Sequence, residues 1–461
     1  MDTNDLRMLP RTAGAVSELM VGEEPSAAPK PAKPERLLSL DAYRGLIMLI
    51  LAGGGFGIAK VAANLRQARG AAGPIWERLA FHVEHPQWLS QFHTIGCSFW
   101  DLIQPSFMFM VGVAMVYSYA NRKARGESAA KSRAHAVIRA VVLVLLGIFL
   151  QSQNKPQINF IFPNVLAQIG LAYLFVYALL GRRFWVQLAA LAVILVGYWG
   201  LFVFYPAPAS PAKDASARAA PKVASRTTQS KAEPPLMDIR VSAEDMARAG
   251  NRTDWIQPRF FDRFSMLSNP AMRFDGWFLP LLPHAEQYQP NKGGYTTLNF
   301  VPSIATILLG VLAGQLLRGP RRAMAKFSIL AGSAVLCMAL GAAAGLTICP
   351  VIKRIWTPSW VLYSASYTLA ILAAFYLVVD ILRMRFLGWP LAVVGMNSMA
   401  VYLISQMMKP WIGKNLKTAF ATFGQDVFSG VYGPMVESLS IVAVIWLLCW
   451  WAYRQKLFVR I

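Results

Sequence analysis

The chain has 461 residues, of which 56% are hydrophobic and 15% charged, with a mean hydropathy of +0.41 and a formal net charge of +22. About a quarter of an average soluble protein is charged, so this composition excludes an ordinary soluble enzyme and points to a membrane protein. The excess Lys and Arg lie in short clusters between apolar runs, which argues against a nucleic-acid partner and for a role in membrane orientation.

Residues 1–35 read as a polar leader rich in Ala, Pro and Lys, without the basic start and immediate apolar core of a cleavable signal peptide. Windows of about 20 mostly apolar residues then predict about ten spans. The expected fold is all-α, a polytopic transmembrane helical bundle surrounded by membrane lipid. The first half, 36–205, holds spans near 40–59, 99–120, 136–151, 162–180 and 184–205. A long connection, 206–297, separates spans five and six. The second half, 298–461, holds spans near 298–317, 327–348, 360–382, 387–408 and 432–453. With the N-terminus inside, the inside segments carry about twice the Lys and Arg of the outside ones. Both termini are therefore expected in the cytoplasm, and the long connection outside. That connection begins as low-complexity sequence. It becomes aromatic over 254–295, where Trp255, Phe260, Phe261, Phe264, Phe274, Trp277, Phe278 and His284 suit either a folded cap or a loop lying on the membrane surface.

Polar residues inside or beside the spans are the candidates for chemistry, because the bilayer makes them costly. Asp41 and Arg44 open the first span three residues apart, on one helical face. They suit a structural ion pair, or a contact with an anionic, phosphate-bearing ligand. The run AGGGFG at 52–57 suits close helix packing or a helix break. Three of the five histidines, His82, His85 and His93, lie with Trp88 and Trp100 just before the second span, which starts with Asp101. An imidazole held in one tautomer by a carboxylate is the usual equipment of a general base. The two tryptophans also suit an interfacial belt. No HExxH-like spacing accompanies these histidines and the four cysteines are scattered, so no metal is expected. Asn164 and Gln168 share a face of the fourth span, as polar glue or as lining of a cavity. Lys353 and Arg354 stand at the outer entrance to the eighth span, and Asn397 interrupts the ninth. The substrate-binding candidates are thus Trp88, Asn164, Gln168, Lys353, Arg354 and Asn397.

The segments RLLSLDAYRG (36–45), GCSFWDLIQPSFMFMVG (96–112), NVLAQIGLAY (164–173), GGYTTLNFVPSIATILLGVLAG (293–314), KRIWTPSW (353–360) and GMNSMAVY (395–402) together resemble the heparan-α-glucosaminide N-acetyltransferase family of multispan membrane acyltransferases, in its bacterial branch. The resemblance implies acetyl transfer across a membrane, here a bacterial inner membrane. Acetyl-CoA is the implied co-substrate on the cytoplasmic side, with Asp41 and Arg44 near it, and an amino sugar or glycan is the acceptor on the far side. The family's HxxW motif falls on His85 and Trp88, which implies His85 as the base and Asp101 as its partner. About six extra residues before Asp101 keep His93 as a competitor. The family's asparagine near the outer end of the first span falls here within Gly53 to Gly57, so that either Asn164 or Asn299 stands in or the acceptor and chemistry differ. The bundle leaves room for a homo-oligomer. A transporter or flippase for a sugar or lipid-linked precursor would use the same intramembrane polar groups and is the competing class.

Overall fold

The structure is a computed structural model, and it describes residues 37–85, 97–206, 262–264, 269–283, 291, 293–422 and 427–459. The leader, most of the long connection, Trp88 and His93 lie outside the described residues. Every regular element among the described residues is a helix, as hydrocarbon demands of a chain that must satisfy its backbone polar groups internally.

Helices occur at all ten apolar segments, but they differ in kind. The first segment is α1 (Leu38–Ala52), which breaks and continues as α2 (Ile58–Arg69) at an angle of 53°. The break is built from Gly54, Gly55, Phe56 and Gly57, all at positive φ; a side chain at Gly57 would collide with the carbonyl of Pro434. A short α3 (Pro74–Val83) folds back on α2, burying Val61, Ala62, Leu65 and Ala80 together.

Next come α4 (Ile103–Ala124), entered through a 3-10 turn at Phe99–Leu102, and α5 (Ala129–Ser152). The fourth segment, α6 (Val165–Leu179), has only 15 residues. That is about 22 Å at the helical rise, short of a hydrocarbon core of about 30 Å. After α7 (Phe184–Val203), the described part of the long connection contributes α8 (Pro270–Phe278).

The second half holds α9 (Phe300–Arg318), α10 (Ala323–Thr347) and α11 (Pro358–Phe375), the last ending in a π-helical turn. The ninth segment is again broken, into α12 (Arg385–Gly395) and α13 (Ser398–Met407), which meet at 59° around Asn397. An amphipathic α14 (Lys409–Thr422) and the final α15 (Gly433–Arg454) follow. Seven helices among the described residues are long and apolar enough to cross a membrane.

Helices α4 and α9 form the centre. Gly112 and Gly310 let their backbones touch, since a Cβ on either would lie within about 2.0 Å of the other helix's carbonyl oxygen. Helices α5, α10 and α15 instead turn large apolar side chains outward, among them Phe149, Leu340 and Leu447, as lipid-facing surfaces do. Part of the aromatic stretch of the long connection is among the described residues. Phe264 stacks on Phe202 at 5.0 Å, in a small core with Tyr198, Ala271, Cys349, Ile352 and Ile355. Trp255, Phe260, Phe261 and His284 lie outside the described residues.

Candidate active site

Three elements converge at the N-terminal end of α4. The first is the 3-10 turn that carries Asp101. Ser98 caps it, its hydroxyl accepting the Asp101 backbone N–H at 3.2 Å, and a carboxylate in the first turn sits favourably against the helix dipole. The second is the end of α3. The glycine break of α1 abuts Val83, where a side chain on Gly55 would clash, and this contact brings the chain to His85 two residues later.

The third element is the turn between α10 and α11, which carries Lys353. Thr357 Oγ1 donates to the Pro350 carbonyl at 2.7 Å and accepts from the Ile352 N–H at 3.0 Å, while Ser359 donates to the same carbonyl at 2.8 Å. Trp356, fully buried at positive φ, anchors its indole N–H on Thr306 of α9 at 3.1 Å. Asn299 completes the brace: its Nδ2 donates to the Arg354 carbonyl at 2.7 Å, and its Oδ1 accepts from Thr296 at 2.8 Å.

The result is a carboxylate shared by two nitrogen groups. Asp101 Oδ1 lies 2.8 Å from His85 Nδ1 and 3.0 Å from Lys353 Nζ, and Lys353 Nζ is 3.4 Å from that same Nδ1. Asp101 and Lys353 are buried, whereas the His85 side chain is 42% exposed. An ionised carboxylate only accepts and an ammonium only donates. The shorter contact, to the carboxylate, sets the tautomer: Nδ1–H donates to Asp101, the lone pair of the neutral ring is on Nε2, and the Lys353 ammonium 3.4 Å from Nδ1 acts on the ring by its charge and not as a hydrogen-bond donor.

Crowding of the ring against this wall holds the His85 pKa below the ordinary histidine value. The Asp101 hydrogen bond pulls it upward, but the charges of Lys353 and Arg354 push it further down. The imidazole thus stays neutral, and able to accept a proton, further into acid than a free histidine. Trp100 packs edge-on to the ring at 6.3 Å, a contact that its reading as a belt residue did not include. Cys97 is buried beside the site. Burial and the Asp101 charge push its thiol up to about 12, so at neutral pH it is not a thiolate nucleophile.

The other sequence candidates divide. Lys353 joins His85 and Asp101, and Arg354 lies close enough to act on His85 electrostatically. Asn164 is the N-cap of α6, accepting the Ala167 N–H at 2.9 Å. Gln168 accepts from Gln104 of α4 at 2.9 Å, one turn beyond Asp101. Asn397 is occupied by the C-terminal segment, donating to the Leu457 carbonyl at 3.1 Å and accepting from the Val459 N–H at 3.0 Å. Arg44 lies 3.7 Å from Asp41 and donates to the Met110 carbonyl of α4 at 3.2 Å. His93 and Trp88 are outside the described residues, so the choice between the two histidines rests on His85's contacts alone.

Residues 75–209, which include His85 and Asp101, match the family model described as heparan-alpha-glucosaminide N-acetyltransferase, catalytic. The family resemblance seen in the sequence motifs is thereby supported. The heparan-alpha-glucosaminide N-acetyltransferase of Mus musculus is 23% identical over 464 residues, covering 92% of this chain and 60% of that protein. That of Homo sapiens is 23% identical over 470 residues, covering 93% and 60%. This chain thus spans about 60% of the length of these relatives.

Proposed function

We propose that this protein is an integral-membrane acetyltransferase that moves an acetyl group from acetyl-CoA to an amino sugar or glycan, with His85 as general base. The observation that carries this reading is the buried Lys353–Asp101 pair behind a half-exposed imidazole, inside the segment that matches the family's catalytic region. In this reading His85 Nε2 takes a proton from the acceptor amine as its nitrogen attacks the thioester carbonyl. The tetrahedral adduct collapses, the C–S bond breaks, and the CoA thiolate leaves with a proton. Asp101 fixes the tautomer and offsets the charge that develops on the ring. Lys353 keeps Asp101 ionised and, by its own charge, keeps His85 neutral at rest. General-base help of this kind contributes about 10²- to 10⁴-fold in rate. An acetyl-imidazole intermediate is the two-step variant of the same chemistry.

The Arg lean of the segments at the opposite end of α4 supports a cytoplasmic donor and an acceptor at the histidine end, in a plasma membrane with both termini inside. Arg44's tie to the Met110 carbonyl favours the structural member of its two readings. Arg354, with its backbone fixed by Asn299, is a candidate acceptor contact.

The test is incubation of membranes containing the protein with radiolabelled acetyl-CoA and a panel of amino sugars. Label should move to an amino sugar with release of CoA, and His85→Ala should abolish the transfer. Absence of both transfer and CoA release, with intact uptake of the sugar into vesicles, would sink the acetyltransferase in favour of a transporter. His93→Ala in the same assay decides between the two histidines.

A further inference from the structure

A second polar site lies at the other end of α4. Between α4, α5 and α6 the structure holds a cavity of about 370 Å³ whose polar lining includes Tyr119, Arg122, His135, Arg139, Tyr173 and Tyr177. A neighbouring hollow of about 420 Å³ shares Tyr119 and adds Lys123 and Arg318. The stretch of α4 that lines the cavity, from Met115 to Arg122, is about 20–30 Å along the helix from Asp101. It is therefore a separate site, and only a long, extended molecule could touch both.

Arg139 is the anomaly. It lies on α5, one of the helices able to cross a membrane, about 15 Å along the helix from Ala129. Its guanidinium carbon sits 5.3 Å from the centre of the Tyr173 ring, while its Nε is buried and finds no hydrogen-bond partner among the described residues. A cation on an aromatic face gains about 0.5–2 kcal/mol. An arginine costs about 2.5–3.5 kcal/mol at the centre of a span and less towards its end, and Arg139 is the fourth residue of the apolar run 136–151. The ring contact leaves the guanidinium without an anionic partner among the described residues.

Among the described residues no carboxylate lines the cavity. The nearby Glu127 is already paired with Arg122, at 3.0 Å. The remaining polar groups are hydroxyls, with Tyr177 donating to Ser132 at 2.9 Å, and the His135 imidazole. The site thus offers two guanidinium forks, phenols and a histidine around an open volume, with one counter-charge for two arginines. Guanidinium forks match the oxygens of a phosphate in pairs of parallel hydrogen bonds.

We propose that this cavity binds a phosphate ester, with Arg139 as its inner anchor and Arg122 at its rim. Two sources present that chemistry: the phosphates of coenzyme A and the headgroup of an anionic phospholipid. The coenzyme A source rests on the acetyltransferase reading, and the lipid source does not.

The experiment uses the full chain in nanodiscs of phosphatidylcholine. Desulfo-coenzyme A, which cannot carry an acetyl group, is titrated in one arm, and the fraction of phosphatidylglycerol is raised in the other. Thermal stability and direct binding are read in both arms. One of these ligands should stabilise the wild type, and Arg139→Gln should weaken its binding about tenfold or more, with partial recovery in Arg139→Lys. Arg122→Gln, at the rim, gives an independent reading if Arg139→Gln does not fold. A response to desulfo-coenzyme A alone assigns the site to the donor; a response to phosphatidylglycerol alone assigns it to lipid. Failure of both ligands to stabilise the wild type, or equal binding by wild type and the folded variants, overturns the proposal. Because desulfo-coenzyme A reports binding without transfer, loss of acetyl transfer with this binding intact would overturn the proposed reaction and leave the site standing.

Discussion

The two ends of α4 hold their charges in opposite ways. At the N-terminal end Asp101 is matched by a buried lysine and a histidine, and the Thr357 and Ser359 hydroxyls tie down the turn that carries the lysine. At the C-terminal end Arg122 is paired with Glu127, while Arg139, beside the same open cavity, has no carboxylate partner among the described residues. A matched buried charge is a device for setting the protonation of a neighbour, whereas an unmatched one beside a cavity is a device for receiving a charge from outside.

The largest expected effect breaks the matched end. Lys353→Met leaves Asp101 buried without its cation and should cost about 3–5 kcal/mol, read as thermal unfolding in detergent, with most of the loss recovered when Asp101 is also made apolar. His85→Ala should lower acetyl transfer by about 10²- to 10⁴-fold while changing stability little, because the ring is half-exposed. Equal effects on activity and stability would show that His85 only props the turn.

Asp275→Ala tests whether the matching extends into the cap. That carboxylate, pushed by burial up to about 6, accepts the Thr297 N–H at 2.9 Å. Its loss should cost about 1–3 kcal/mol for an orphaned donor, measured by the same unfolding assay. At the other end, Arg139→Gln should change stability of the ligand-free protein by no more than about 1 kcal/mol, since the cation it removes has, among the described residues, only a ring for a partner. A loss as large as that of Lys353→Met would erase the contrast.

The smallest effect is on pH. In the proposed reaction His85 must be neutral to accept a proton, and its pKa is lowered, so the acid limb of the rate profile should lie below the ordinary histidine value. Arg354→Gln removes one of the charges that lower it. The limb should then move to higher pH, which a pH–rate profile of the purified variant would show.

Much of the architecture was legible in the sequence. All ten apolar segments form helices, and the glycine run at 52–57 does break the first. Apolar length placed segments one, four and nine, but it registers neither the angle of a bend nor a helix that starts late at its Asn164 cap. At the site, His85 and Asp101 were visible because only 16 residues separate them along the chain. Asn397, Asn164 and Gln168 were visible only as polarity in an apolar background. Polarity signals that a partner exists, but not whether that partner is a ligand, a backbone carbonyl or another helix.

By itself, then, the sequence determined the solvent this protein lives in, its helical class and a histidine–aspartate pair, because hydropathy and short-range spacing are local properties. Only the tertiary structure decided that Lys353, 252 residues from Asp101, closes on the same carboxylate oxygen, and that Arg139 faces a cavity with too little negative charge around it. Both depend on how helices pack side by side, and that packing is fixed by the sum of many contacts between segments far apart in the chain.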